Sequence, residues 1–146
     1  MNRKVLFSSH STEWTTPQWL FDELNEEFNF TVDLCATKEN RKCLKYYSVD
    51  NDGLQRDLTG ERVFCNPPYG AKELPKWIQK CACSKCLSVM LLPARTDTKA
   101  FHDFIYNRAE IRFIKGRLHF GNSTNSAPFP SMIVIFRNEE QNEKNI

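Results

Sequence analysis

Short apolar runs that alternate with amphipathic stretches place the strongest constraint on how this chain can fold. Residues 62–65, 88–92 and 131–137 are runs dominated by Val, Ile, Leu, Met and Phe, and each ends at a proline, asparagine or charged residue. Runs that are apolar throughout, instead of alternating, are typical of strands buried on both faces of a parallel sheet. The sequence therefore predicts an α/β fold in which a mostly parallel sheet carries helices on both faces.

The remaining elements are predicted from periodicity and from helix start and stop signals. Thr16-Pro17 indicates a helix start with the threonine hydroxyl as cap, and apolar residues recur at helical spacing as far as Phe28. From Phe28 to Leu34 apolar and polar residues alternate, which predicts a strand. Further predictions are a short strand at 46–49, a helix at about 72–84, a helix capped by Asp97 or Thr98, a strand at 110–114, a loop at 116–130, an extended arm at 1–12 and a flexible tail at 138–146.

The length of 146 residues suits one domain, which we expect to span residues 1–146. The 20 Lys and Arg residues nearly balance 18 Asp and Glu residues, which excludes a tail-driven polybasic binder. The balance conceals a split: residues 1–60 carry seven basic against ten acidic side chains, whereas residues 61–136 carry eleven against five. A basic second half indicates a surface for a polyanion. With no apolar run near 20 residues and no sustained apolar region after Met1–Lys4, we expect no membrane span, no signal peptide and a cytoplasmic protein.

Six cysteines raise the question of disulfides or a metal site. Without an export signal, reduced thiols are expected. Cys81, Cys83 and Cys86 are dense enough to suggest structural zinc, with Cys43 or another distant thiol as the fourth ligand. Structural zinc usually takes its ligands as separated pairs, so the spacing favours free thiols and no metal.

The tetrapeptide Asn66-Pro67-Pro68-Tyr69 carries the clearest chemistry in the sequence. The prolines fix the backbone and supply no N–H donors, which leaves the carbonyl of Pro67 free beside the amide oxygen of Asn66. Tyr69 adds a flat aromatic face. Two hydrogen-bond acceptors and a stacking surface suit a planar ring with an exocyclic amino group. Acceptors that bind both amino hydrogens would free the nitrogen lone pair for attack on an electrophile. The alternative is a proline turn that merely ends a strand.

Three polar segments follow predicted strands and are expected to converge. They are 33–36, 66–69 and 93–97. In open α/β sheets ligands bind beyond the carboxyl ends of the strands. We therefore expect a single site at that edge.

The motifs spread along residues 12–137 resemble the phage DNA N-6-adenine methyltransferases, which use S-adenosylmethionine. The tetrapeptide itself matches the catalytic motif of amino-directed methyltransferases. The resemblance implies a compact version of the Rossmann-like class I methyltransferase fold. The matching segments are Glu13-Trp14-Thr-Thr-Pro17, Val32-Asp-Leu-Cys-Ala36, Asp52-Gly-Leu54, Phe64-Cys-Asn-Pro-Pro-Tyr-Gly70, Leu91-Leu-Pro-Ala-Arg-Thr-Asp97, Phe101-His102 and Ser126-Ala-Pro-Phe-Pro-Ser131.

The resemblance implies a set of cofactor-binding residues. Thr15 or Thr16 would hold the carboxylate of S-adenosylmethionine at a helix start, although Thr16 could serve only as the helix cap. Asp33 would face the cofactor's amino group. The remaining implied residues are Cys35 and Ala36, where the backbone approaches closely, Asp57 for the cofactor's adenine, and either Asp50 or Asp52 for the ribose. The segment departs from the family's usual glycine loop, because it reads Asp33-Leu-Cys-Ala-Thr-Lys.

The expected reaction is direct methyl transfer to the amino group of adenine in DNA, with the base flipped out of a duplex or taken from a single strand. Asn66, Pro67, Pro68 and Tyr69 would be catalytic, and no metal is required. Arg95, Lys99, Arg117 and His119 are the candidate DNA contacts, and any of them could instead be an ordinary solvated side chain. Short-site specificity or a homodimer is expected, in the cytoplasm of a bacterium that hosts a phage or prophage.

Two other functions remain open at this stage. The same tetrapeptide would suit methylation of an RNA base or of a protein glutamine. A non-catalytic DNA-binding protein on a methyltransferase fold is the alternative from another class.

Overall fold

A five-stranded mixed sheet organises the computed structural model, which describes residues 14–48, 52–121 and 123–139. The order of strands in the sheet is β1-β2-β3-β5-β4. The elements are helices α1 (Gln18–Phe28) and α2 (Leu74–Cys83), strands β1 (Val32–Asp33), β2 (Arg62–Cys65), β3 (Leu87–Pro93), β4 (Glu110–Phe113) and β5 (Ser131–Arg137), a 3-10 turn at Gly53–Gln55 and a π-helical turn at Phe101–Ile105.

Strands β1, β2 and β3 are paired parallel, so their carboxyl ends meet at one edge. The predicted convergence of the three polar segments at this edge is therefore confirmed for the backbone. Strand β5 lies between β3 and β4 and runs antiparallel to both. The prediction of a mostly parallel sheet thus holds for the first three strands and fails at β5. The loop 114–130 joins β4 to β5 directly, and an antiparallel pair needs no helical crossover.

Helices pack on both faces of the sheet because neighbouring residues of β2 point in opposite directions. Phe64 meets Phe21 of α1 edge to face, with ring centroids 5.2 Å apart. Cys65 points the other way, against Cys81 of α2. All seven residues of β3 are buried, as expected for a central strand. The strands and both helices thus share one hydrophobic core.

The predicted strand over 28–34 is wrong for most of its length. Phe28 is the last residue of α1, and Asn29 ends the helix in the left-handed conformation. The N–H of Phe30 is then accepted by the side-chain oxygen of Asn25 at 2.8 Å. Phe28 and Phe30 lie in a helix end and a turn, yet their rings pack together at 5.9 Å. The alternation therefore reflects a shared core contact and not a strand.

The predicted start of helix α1 is confirmed in position, but the predicted cap by Thr16 is wrong. Helix α1 begins at Gln18 after Pro17, but no side chain caps it. The hydroxyl of Thr16 is instead occupied by Asn66. Ala100 directly precedes the π-helical turn. Of the two predicted caps, Thr98 accepts the N–H of Phe101 through its hydroxyl at 3.2 Å.

The other predicted elements differ from the structure by small amounts. At the predicted strand 46–49, Tyr46 forms one isolated parallel bridge with Asp33, and Val49 lies outside the described residues. The helix at 72–84 and the strand at 110–114 are confirmed with slightly shorter bounds. The arm at 1–12 and tail residues 140–146 lie outside the described residues. Among the helices that are described, none is long and apolar enough to cross a bilayer.

Candidate active site

Asn66 stands directly after β2, and its side-chain amide is fixed by two hydrogen bonds to the segment before α1. Its Nδ2 donates to the carbonyl oxygen of Trp14 at 2.6 Å and to Oγ1 of Thr16 at 2.9 Å. An asparagine amide has two donor hydrogens on nitrogen and an acceptor oxygen. Since both hydrogens are used, the amide cannot flip without losing both bonds. Oδ1 is thereby held as the acceptor of the site.

The hydroxyl of Tyr69 lies within hydrogen-bond distance of two acceptors at this site. Its hydroxyl lies 2.6 Å from Oδ1 of Asn66 and 3.1 Å from the carbonyl oxygen of Leu91, and its single proton serves one or the other. Burial raises the pKa of the Tyr69 phenol well above its usual range. The hydroxyl is therefore a neutral donor at any physiological pH.

Pro67 and Pro68 lie between Asn66 and Tyr69, and their predicted role in catalysis stays a prediction. Pro67 is buried and Pro68 is half-buried. The carbonyl oxygen of Pro67 accepts no hydrogen bond from the part of the chain that the structure describes. It stands beside Asn66 as an acceptor available to a ligand.

The ring of Tyr69 is enclosed by aromatic neighbours, and only 4% of the residue is exposed. Trp14 lies nearly parallel to it, with centroids 6.4 Å apart and planes at 21°. Phe120 and Phe129 meet the same ring edge-on at 6.4 and 5.7 Å. Sequence reasoning missed Trp14 as a site residue, although it belongs to one of the matching segments.

Asp33 ends β1 as a buried carboxylate, at 3% exposure. Its Oδ2 accepts the backbone N–H of Lys42 at 3.0 Å, whereas its Oδ1 has no partner among the described residues. Burial raises the pKa of Asp33 to about 7, against the smaller lowering effects of the backbone N–H groups of Lys42 and Cys35. A buried, unpaired carboxylate oxygen calls for a donor from a ligand, and a cationic ammonium group would satisfy it best.

Lys42 is a second residue that sequence reasoning missed. Its Nζ donates to Oε1 of Gln18 at 2.8 Å, at the first residue of α1. Its backbone simultaneously binds Asp33. Partial burial lowers the pKa of Lys42, and the charge of Asp33 opposes this effect. A carboxylate and an ammonium group are thus brought close to one helix start, in a pattern complementary to an amino acid zwitterion.

The other predicted cofactor residues divide into two groups. Cys35 is half-buried and Ala36 is buried, and they lie two and three residues after Asp33 in the chain. Burial raises the pKa of Cys35 to about 12, so its thiol is neutral and not a nucleophile. Thr15 is half-buried, and its carbonyl accepts the N–H of Gly121 at 2.7 Å. Cys35 and Ala36 thus lie near Asp33 in the chain, and Thr15 immediately precedes Thr16, which binds Asn66.

Asp57 does not join this group by any hydrogen bond that the structure describes. It is exposed in the loop before β2, and its Oδ1 accepts the N–H of Thr59 at 3.0 Å. This bond, the largest influence on the carboxyl, lowers the pKa of Asp57. Its assignment to the cofactor's adenine stays a prediction.

Of the two candidates for the ribose, Asp50 lies outside the described residues and Asp52 is half-buried. Asp52 precedes Gly53, which packs so closely on the chain after β1 that an added Cβ would lie 2.6 Å from the carbonyl oxygen of Leu34. This close approach holds Asp52 next to the segment that contains Asp33.

The four predicted DNA contacts have different surroundings. The Nη1 of Arg95 donates to the carbonyl oxygen of Tyr69 at 2.7 Å, so this side chain also holds the Asn66–Tyr69 loop in place. Lys99 pairs with Asp103 one helical turn later. Arg117 and His119 are exposed and alternate with the buried Leu118 and Phe120. A basic surface therefore lies on the outside of the loop whose inside packs on Trp14.

The cysteine cluster does not form a metal site in the part of the chain described. Cys81 and Cys86 are buried, while Cys83 is exposed. Cys81 faces Cys65, and the thiol of Cys86 lies 3.2 Å from the hydroxyl of Ser88. Among the described residues no group of three or more His, Cys, Asp and Glu side chains is arranged to hold a metal ion.

Comparison of the sequence with known proteins finds relatives and a family for this chain. The chain is 31% identical over 109 residues to the DNA N-6-adenine-methyltransferase of Escherichia phage T1, an alignment that covers 72% of this chain and 45% of the phage protein. It is 35% identical over 65 residues to YfdM of Escherichia coli (strain K12), covering 39% of this chain and 70% of that protein. The chain thus spans less than half the length of the phage T1 relative. The model of the DNA N-6-adenine-methyltransferase (Dam) family matches residues 5–146, and the chain belongs to that family.

Proposed function

We propose that this protein transfers a methyl group from S-adenosylmethionine to the exocyclic amino group of adenine in DNA. The observation that carries the proposal is the fixed orientation of the Asn66 amide, which presents Oδ1 beside the free carbonyl of Pro67. Family membership supports the same reaction. The strand order, with an antiparallel β5 between β3 and β4, supports a compact Rossmann-like methyltransferase fold.

The residues around Asp33 fit the amino acid end of the proposed cofactor. The unpaired Oδ1 of Asp33 would accept from the ammonium group. Lys42 and the uncapped start of α1 would attract the carboxylate. The hydroxyl of Thr16 accepts from Asn66, and its own proton remains available to that carboxylate. Asp52, which adjoins the segment that contains Asp33, would be a ligand of the ribose.

The catalytic loop, Asn66–Tyr69, would act on the adenine through two hydrogen-bond acceptors. Oδ1 of Asn66 and the carbonyl oxygen of Pro67 would each accept one hydrogen of the adenine amino group. This would direct the nitrogen lone pair toward the methyl group, which the bound cofactor would supply as an electrophile while its sulfur keeps the electron pair of the broken carbon–sulfur bond. As the nitrogen becomes positive, both oxygens stabilise the developing charge, and they need no reorganisation because the loop is already held. A proton leaves after the transfer, so no strong base is required.

Arg95 and Tyr69 position this loop. Arg95 binds the carbonyl oxygen of Tyr69, and the Tyr69 hydroxyl reaches Asn66 and Leu91. The hydrogen bonds therefore connect Thr16, Asn66, Tyr69 and Arg95 in one chain. Positioning of this kind accounts for a large share of catalysis in direct transfer.

The exposed side chains of Arg117 and His119 support contact with the DNA backbone. They lie on the loop 114–130, whose Phe120 and Phe129 pack on Trp14 and Tyr69. We propose that the target is presented as a flipped base or as a single strand. A homodimer would extend the DNA contact. The proposed setting is the cytoplasm of a bacterial cell that hosts a phage or prophage.

The experiment that tests the proposal measures transfer of labelled methyl groups to DNA, RNA and protein acceptors, followed by mapping of modified adenines. Wild type and Gln79→Ala are expected to label adenine in DNA, because Gln79 is an exposed amide on α2. Asn66→Ala is expected to lose at least about 100-fold in rate, by analogy with the loss of one transition-state hydrogen-bond partner. Label in RNA or protein alone would overturn the proposal in favour of another amino acceptor. Cofactor binding without any transfer would favour a non-catalytic DNA-binding protein.

A further inference from the structure

The solvent side of α2 carries a row of lysines that begins beside the catalytic loop. The α2 lysine row consists of Lys72, Lys76 and Lys80, which recur every four residues. Residues at this spacing lie on one side of a helix, about 6 Å apart along its axis. Lys72 stands before the first residue of α2, but the N–H of Leu74 is already accepted by the carbonyl oxygen of Gly70 at 2.9 Å. The helical turn therefore starts early enough to include Lys72, three residues after Tyr69.

The row lies on the side of α2 that faces away from the core. The buried residues of the helix are Leu74, Trp77, Ile78 and Cys81. At 3.6 residues per turn, positions 72, 76 and 80 lie on the opposite side of the helix. Lys72 and Lys76 are accordingly exposed, and Lys80 is half-buried.

No acidic side chain in the described part of the chain forms an ion pair with this row. Five ion pairs join described residues, and none of them includes Lys72, Lys76 or Lys80. Glu73 is the single acidic residue between Gly70 and Cys83. Its carboxylate is turned toward Gly70, where it occupies the place that an added Cβ would take. Like charges four residues apart on a helix destabilise it, so the unpaired row lowers the stability of the free protein, and a bound polyanion would relieve the repulsion.

The three lysines of the row differ in what they contact. The Nζ of Lys80 donates to the carbonyl oxygen of Arg56 and so attaches the chain before β2 to α2. Lys80 also lies near Asp57, since its charge adds to the larger effect of the Thr59 N–H in lowering the pKa of that carboxyl. The Nζ atoms of Lys72 and Lys76 bind no residue that the structure describes. These two lysines are therefore the ones available to a ligand.

We propose that the α2 lysine row binds the phosphates of the duplex that flanks the target adenine. This inference rests on the proposed function, because it takes DNA as the substrate and assigns the path of the duplex. One strand of DNA carries a charge about every 3.4 Å along the helix axis. The row is about 12 Å long and so spans about three phosphates, which flexible lysine side chains can each reach. The duplex would then run from the catalytic loop along the solvent side of α2.

The test measures the affinity for a labelled duplex, with one adenine target at its centre, by fluorescence anisotropy over a salt series. The double variant Lys72→Gln, Lys76→Gln is expected to lower the slope of log affinity against log salt by about 1.8, because each lost phosphate contact contributes about 0.9. Lys72→Arg, Lys76→Arg keeps both charges and is expected to keep the slope of wild type. Arg108→Gln is the control, since it removes an exposed cation that precedes β4. Thermal unfolding should show that the double glutamine variant is at least as stable as wild type without DNA, because the repulsion is removed.

The inference is overturned if the double glutamine variant keeps the slope of wild type, or if Arg108→Gln lowers the slope as much. It is also overturned if the difference between wild type and the glutamine variant persists on a duplex that ends just beyond the adenine on both sides, where no flanking phosphates remain. Transfer of methyl groups to DNA with an unchanged slope would leave the proposed function standing. Conversely, the expected slopes in a protein that methylates no DNA would overturn the proposed function alone.

Discussion

The side-chain nitrogen of Asn66 donates to the carbonyl oxygen of Trp14 over 2.6 Å, and this bond joins two segments 52 residues apart in the chain. The same nitrogen binds the hydroxyl of Thr16. The identity of the residue at position 66 therefore determines more than the acceptor that we propose for the base. It also determines whether the segment before α1 stays attached to the carboxyl end of β2.

Asn66→Asp is expected to keep an acceptor oxygen and to lose this attachment. The replaced nitrogen becomes a carboxylate oxygen that faces the carbonyl of Trp14, and an unsatisfied buried group of this kind costs about 1–3 kcal/mol or more. Repulsion raises the pKa of the new carboxyl in the folded state, so the variant loses stability as the pH rises through that value. Urea unfolding at pH 5 and pH 8 measures the difference. Asn125→Asp, on an exposed loop residue, is the control, and equal effects of the two substitutions would contradict the prediction.

Binding of S-adenosylmethionine is expected to release a proton from Asp33 below pH 7. Asp33 has a pKa of about 7 in the free protein because it is buried, and a cofactor ammonium group would lower it. Affinity should therefore rise with pH up to about 7, and level off until the cofactor's amino group loses its own proton near pH 8. Calorimetry in buffers of different ionisation enthalpy counts the proton. Affinity independent of pH from 5.5 to 7.5 would contradict the prediction.

Asp33→Asn is expected to abolish binding of the cofactor and to increase the stability of the fold at pH 8. The elevated pKa means that the folded protein holds this proton more tightly than the unfolded chain, so wild type loses stability as the pH rises from about 4 to 7. The variant lacks this loss and is expected to be more stable at pH 8 by about 1–4 kcal/mol, since each pKa unit corresponds to about 1.4 kcal/mol. It should also fail to bind the cofactor. Asp103→Asn, which removes an exposed carboxylate, should change neither property, and a destabilised Asp33→Asn at pH 8 would refute the assignment.

Much of the fold is predictable because strong local signals coincide with tertiary burial. The bounds of β2, β3 and β5 follow from apolar runs that the core then buries. The alternation from Phe28 to Leu34 misleads because two neighbouring phenylalanines can share a core contact across a helix end. A period-two pattern over a few residues does not distinguish that turn from a strand.

The motif at the candidate site can be predicted from the sequence, but the residues that bind Asp33 and Asn66 cannot. Asn66 and Asp33 stand out as residues that follow strands. Lys42 carries no local signal, since it reaches Asp33 and Gln18 only after the chain between β1 and β2 has folded. The hydroxyl of Thr16 looks like a helix cap in sequence, yet it accepts a hydrogen bond from the half-buried amide of Asn66, 50 residues away in the chain.

Gly53→Ala is expected to destabilise the protein by about 1–3 kcal/mol. The new Cβ would lie 2.6 Å from the carbonyl oxygen of Leu34 and 3.3 Å from the ring of Trp77, and neither the backbone nor the buried ring can yield easily. Gly70→Ala is the matched control, because its Cβ would meet the flexible end of Glu73. Thermal unfolding compares the two. The prediction fails if the Gly70 variant is the less stable one.

Arg112→Gln is expected to lower stability by about 1 kcal/mol at low salt, and by less at high salt. Arg112 binds Glu27 through both terminal nitrogens at 2.7 and 2.8 Å and binds Glu110 through Nε at 2.6 Å. Hydrogen bonds to Arg112 lower the pKa of both carboxyls, so the contribution is lost as the pH falls through these values. Urea unfolding at two salt concentrations measures it, and no dependence on salt or acid would contradict it.

Arg117→Gln is expected to weaken DNA binding about equally for all sequences and to lower the slope of log affinity against log salt by about 0.9, the value for one phosphate contact on duplex DNA. Arg117 is exposed on the loop 114–130, and its Nη1 lies 3.3 Å from the carbonyl oxygen of Ala127. The exposed Arg108 provides the matched control, since it precedes β4 and so lies at the opposite edge of the sheet. Fluorescence anisotropy over a salt series measures both slopes. An unchanged slope in Arg117→Gln, or an equal decrease in Arg108→Gln, would show that this loop does not contact the phosphates.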